Sequence, residues 1–148
     1  MTIASRPLRL VVLASGPATM ALQLAMVRLM SPWLGASTFV WATVIGLSLL
    51  AMSLGYVLGG RLADRVADGR VLARTLGGAG LLVAAIPVVA PLRLPHADLG
   101  ISDPVRADVI GSAVAYVVLA MVPAVLLGIT PPYAIRLALT GVHGSGRT

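Results

Sequence analysis

Long apolar stretches separated by short polar breaks set the pattern of this chain. Windows 10–27, 29–60, 75–92 and 109–135 contain no Asp, Glu, Lys or Arg. A helix that spans a bilayer needs about 20 apolar residues, so the first and third windows each hold one span. The second and fourth are longer because they include turn chemistry. Ser31-Pro32-Trp33-Leu34-Gly35-Ala36-Ser37 predicts a break, with Ser37 or Thr38 capping the next helix. Thr130-Pro131-Pro132 predicts the end of the last span, since neither proline donates a helical hydrogen bond. The predicted spans are 10–30, 38–60, 71–92 and 109–129, with Asp108 capping the fourth and a short tail over 133–148. Barrel strands would alternate polar and apolar residues, and an open sheet edge finds no water in lipid. The expected class is an all-α integral membrane protein: one membrane domain, a bundle of about four transmembrane helices. A secretory signal peptide is the competing reading of the first stretch, where Arg6 and Arg9 precede the apolar run.

Composition sharpens this picture. The 148 residues are 58% hydrophobic and 11% charged, whereas a soluble domain carries roughly 25% charged residues. All 11 basic residues are Arg, and the 5 acidic ones are Asp64, Asp68, Asp98, Asp103 and Asp108. The net charge of +6 does not imply nucleic acid, because the Arg residues punctuate apolar runs instead of clustering beside stacking aromatics. With no Cys there is no disulfide framework and no thiolate chemistry. His96 and His143 stand apart from other ligands and read as loop residues, so neither a metal nor a cofactor is expected.

The Arg residues also give an orientation. Arg6 and Arg9, then Arg61, Arg65, Arg70 and Arg74, then Arg136 and Arg147 fall on one side of the predicted spans. The other side holds Arg93 and Arg106 with Asp98, Asp103 and Asp108. The positive-inside rule places both termini and the Arg61 to Arg74 loop in the cytoplasm of a plasma-membrane protein, with Trp33 and Trp41 at the outer interface.

Within the spans, Ala51, Gly55 and Gly59 recur every four residues, as do Ala120, Ala124 and Gly128. Such stripes let backbones approach and predict packing faces, including faces for self-association. Pro17, Pro87 and Pro123 are kink candidates. Gln23 and Arg28 are the polar residues of the first span. Arg28 either snorkels as an interface anchor or faces the bundle and holds an anionic group. No acidic residue falls within a predicted span, so the embedded carboxylate of a proton-coupled pump is not expected.

Gly59-Gly60-Arg61-Leu62-Ala63-Asp64-Arg65-Val66-Ala67-Asp68-Gly69-Arg70 resembles the loop between helices two and three of the major facilitator superfamily (MFS). Two extra residues separate its Asp-Arg pair from its Gly-Arg pair. An Asp here is placed to cap the third helix while the Arg residues hold neighbouring helices.

A wider resemblance rests on four stretches. They are Ala21-Leu22-Gln23 with Val27-Arg28-Leu29; Ser31 to Thr38 leading to Trp41-Ala42-Thr43; Leu54-Gly55 through Gly59 to Arg65; and Pro131-Pro132-Tyr133-Ala134-Ile135-Arg136-Leu137. In order and spacing they resemble the N-terminal membrane region of spermidine synthase-like membrane proteins, the fused MFS/spermidine synthase family. Gln23 departs from the acidic residue that the family often has there. The family continues into further helices and commonly a soluble aminopropyltransferase-like domain, so this chain reads as part of a larger architecture. The resemblance implies an MFS-like topology and a polyamine-related context. No nucleotide loop, acidic cluster or nucleophile-base set is present to do that chemistry. The expected function is a non-catalytic membrane module that anchors or partners a synthase-like domain. The rival is a small MFS-like transporter subunit acting as an oligomer. Gln23, Arg28, Arg61, Asp64, Arg65 and Arg136 are the candidate functional residues.

Overall fold

The computed structural model describes residues 5–35, 37–66, 68–93 and 100–144. They form five helices: α1 (Ser5–Leu34), α2 (Thr38–Arg65), α3 (Gly69–Arg93), α4 (Pro104–Leu119) and α5 (Met121–Gly144). Four of them, all but α4, are long and apolar enough to cross a membrane. Their outward faces carry large apolar side chains such as Leu13, Leu49, Leu81 and Ile135, a surface suited to lipid and poorly solvated by water.

Proline ends these helices less than the sequence predicts. α1 runs through Pro32 and stops at Gly35, whose φ of +73° suits a residue without a Cβ. The Gly35 N–H donates to Ser31 O at 3.0 Å. α5 likewise continues through Pro131 and Pro132, so the predicted tail from residue 133 is helical as far as Gly144. A proline removes only its own N–H, and its φ already suits a helix. Packing against a neighbour compensates for the lost bonds.

The predicted fourth span divides in two. α4 starts earlier, at Pro104, and its cap is Asp103, not Asp108; the Asp103 carboxylate accepts from Val105 N and Arg106 N. At Ala120 the backbone leaves helical geometry (φ −118°, ψ −17°), three residues before Pro123, which cannot donate to the Leu119 carbonyl. Ala120 N to Tyr116 O (2.8 Å) and Ala124 N to Ala120 O (2.9 Å) carry the hydrogen-bond pattern across the break. α4 and α5 therefore act as one bent rod. Of the two predicted caps for α2, Ser37 and Thr38, Ser37 is the one used, its Oγ accepting from Val40 N.

The centre of the bundle is the contact between α2 and this rod, the most extensive helix–helix interface. Partners advance together along both: Ser37 meets Asp108, Ser48 meets Tyr116, Gly55 meets Gly128, Gly59 meets Pro132, and Asp64 meets Arg136. The two are therefore parallel, as up-and-down threading through α3 requires. A methyl group at Gly55 would overlap the Val125 carbonyl oxygen and lie 2.8 Å from Gly128 Cα. One at Gly59 would lie 2.7 Å from Ile129 O. Only glycine allows backbones this close. The stripes Ala51, Gly55, Gly59 and Ala120, Ala124, Gly128 are all buried within the chain, so any self-association must use another surface.

α1 lies against this pair with Leu22, Met26, Val27 and Met30 in the core. α3 packs mainly on α5. A second apolar cluster, Ala63, Leu72, Ile129, Tyr133 and Ala134 with Leu8, Val11 and Leu137, gathers the start of α1, the α2–α3 connection and the end of α5 at one end of the bundle.

Candidate functional site

That end also collects most of the described Arg side chains. Arg9, Arg61, Arg65, Arg70, Arg74 and Arg136 are all exposed there. Two of the candidates singled out by the sequence meet: Arg136 Nη2 lies 3.0 Å from Asp64 Oδ1, with both side chains more than half exposed. This ties α5 to the last turn of α2. Asp68 caps α3 through its Oδ1, which accepts from Arg70 N at 3.0 Å, so of the two Asp residues in the connection it is the capping one.

Between them sits Tyr133, whose side chain is fully buried. Its hydroxyl accepts from Asp68 N at 3.1 Å and has its single proton to share between the carbonyls of Val66 and Asp68. The α2–α3 connection, which has few backbone bonds of its own, is thus pinned to α5. Tyr133 lies in the Pro131 to Leu137 stretch but is not among the predicted site residues. The signal for it is its position three residues before Arg136, which puts both on one helical face.

Arg61 and Arg65 face outward, and no ion pair involves them among the described residues. Arg28 is also exposed, which favours the anchor reading over a bundle-facing one; Gln23 is half-buried. His96, Asp98 and Arg147 lie outside the described residues.

At the opposite end, Ser37 Oγ donates to Asp108 Oδ2 at 2.6 Å. Asp108 is half-buried and more than a turn inside α4. α4 begins five residues before the predicted span, so Asp108, which the sequence places ahead of that span, lies within a helix, as Asp64 does in the last turn of α2. Midway, Ser48 Oγ and Tyr116 Oη are 2.8 Å apart. Ser48 Oγ has a single proton to share between Tyr116 Oη and the Val44 carbonyl (2.7 Å). Thr130 Oγ1 is buried with no hydrogen-bond partner among the described residues.

Open apolar grooves cut the outer surface among the described residues. One, about 400 Å³, lies between α1 and α5 at the Arg-rich end; another, about 380 Å³, lies between α1 and α3. Among the described residues no group of three or more His, Asp or Glu is placed to hold a metal ion.

No protein-family model, curated protein or solved structure matches the chain.

Proposed function

We propose that this chain is a non-catalytic transmembrane module, similar to the membrane region of spermidine synthase-like proteins, that anchors or partners an aminopropyltransferase-like domain. The carrying observation is the junction at the Arg-rich end. Two of the stretches behind the resemblance, Leu54 to Arg65 and Pro131 to Leu137, are far apart in sequence yet pack as one unit. Gly59 meets Pro132, Asp64 pairs with Arg136, and Tyr133 holds the residues that follow α2. The helix ends leading to both termini lie at this same end, and on this reading the Arg excess supports its being the cytoplasmic side of the plasma membrane. A soluble partner domain would then meet a rigid platform.

The test is affinity purification of the tagged chain from native membranes in mild detergent, with partners identified by mass spectrometry. A co-purifying synthase-like protein is the expected result. Recovery of the chain alone, or only with copies of itself, would overturn the reading.

A transporter subunit is the second reading, favoured by the half-buried Asp108 and the MFS-like loop. It requires that the Asp64→Asn, Arg65→Gln double variant abolish substrate uptake into vesicles. Unchanged uptake would remove these residues from that role.

A further inference from the structure

The groove between the start of α1 and the end of α5 is lined by Leu8, Val12, Leu13, Ala134, Ile135 and Ala138, with Arg9 as its one charged residue. Its other walls are hydrocarbon, so a small hydrated anion gains nothing from entering it. Arg9 is exposed, on the second turn of α1. Among the described residues it has no carboxylate partner. The two Asp residues at this end are already engaged, Asp64 by Arg136 and Asp68 by the start of α3. The site therefore pairs an uncompensated guanidinium with an apolar trough running along the bundle from it.

We propose that this groove binds one anionic phospholipid, its acyl chain lying between α1 and α5 and its phosphate on Arg9. The charge argument selects the ligand. A guanidinium offers a planar set of donors that matches phosphate oxygens. The surrounding Arg61, Arg65, Arg70 and Arg74 add a positive field that favours a lipid of net negative charge over a zwitterionic one. Arg9 is set apart from those four residues because it lines the trough and they do not.

The experiment is native mass spectrometry of the full chain released from vesicles of equal parts phosphatidylglycerol and phosphatidylcholine. One phosphatidylglycerol is expected to be retained in preference to phosphatidylcholine. Arg9→Gln should lower that preference about fivefold, the effect of one basic residue near an anionic lipid surface. Ala138→Trp, which fills the groove and leaves Arg9 intact, should lower retention of the lipid as well. Arg70→Gln, on α3 and outside the lining of the groove, should lower the preference much less than Arg9→Gln and leave retention of the lipid unchanged. Circular dichroism and the unfolding temperature establish that each variant is folded. Equal retention of the two lipids overturns the proposal. So does an Arg70→Gln loss as large as that of Arg9→Gln, or wild-type retention by Ala138→Trp. Binding of inorganic phosphate with the same dependence on Arg9 would overturn it in favour of a free-anion site.

Discussion

On α2, a methyl group at Gly55 or Gly59 would collide with the backbone of α5, whereas on α3 nothing lies within 4 Å of where one would sit at Gly77, Gly78 or Gly80. Both helices carry small residues at helical spacing. Ala51, Gly55 and Gly59 are buried against the α4–α5 rod, while Ala73, Gly77, Gly80 and Ala84 face outward. The comparison teaches that spacing marks where a close approach is possible and says nothing of whether a partner occupies it. α2 is the spine because its stripe meets a second stripe at matching height. α3 leans on α5 by ordinary side-chain contact and leaves most of its circumference outside.

Substitutions can break this contrast. Gly55→Ala should have the largest effect, destabilising by about 1–3 kcal/mol because the backbones of α2 and α5 must separate. Thermal unfolding in detergent measures it, and a wild-type midpoint would show that the seam is looser than described.

Tyr133→Phe comes next. It removes the hydroxyl that pins the α2–α3 connection and leaves the part-buried backbone groups of Val66 and Asp68 without that partner, an expected loss of about 0.5–1.5 kcal/mol. Hydrogen exchange should rise at Asp68 before it rises at the seam glycines. Uniform loosening of the whole bundle would show that the hydroxyl does not act locally.

A smaller effect is expected from the Ser48–Tyr116 pair. A double-mutant cycle of Ser48→Ala and Tyr116→Phe should give a coupling of about 0.6 kcal/mol, the usual size for such bonds between membrane helices. A coupling of zero would mean that the hydroxyls do not depend on one another.

Gly77→Ala should have the smallest effect and the opposite sign, neutral to about 0.5–1 kcal/mol stabilising, because it lowers the backbone entropy cost and meets no neighbour. Destabilisation comparable to Gly55→Ala would reveal an occupant on the α3 face and would end the contrast between the two helices.

How far the sequence could be read depended on the range of the interaction involved. Ser37 was identifiable as a cap because capping acts within three residues. Asp108 was misassigned because Asp103, beside Pro104, is a better-placed competitor, and because the true partner of Asp108, Ser37, is 71 residues away. The prolines were over-read for a similar reason. Local chemistry counts the lost N–H at Pro131 and Pro132 but not the contact with Gly59 that holds α5 together there. Of the candidate residues, Asp64 and Arg136 were each visible as charges near helix ends, yet nothing local joins them. Tyr133 went unnoticed because a tyrosine at the end of an apolar run is usually an interface residue.

By itself the sequence determined the helical class, the three long apolar helices α1, α2 and α3, and the end at which arginine accumulates. Each follows from hydropathy and charge summed over a window, which no later packing alters. Only the tertiary structure decided that the two small-residue stripes face one another, that Asp64 closes on Arg136, and that Arg9 lines an apolar groove. These depend on the relative height and rotation of helices. Such quantities are set by the fit of whole surfaces, and no window of sequence contains them.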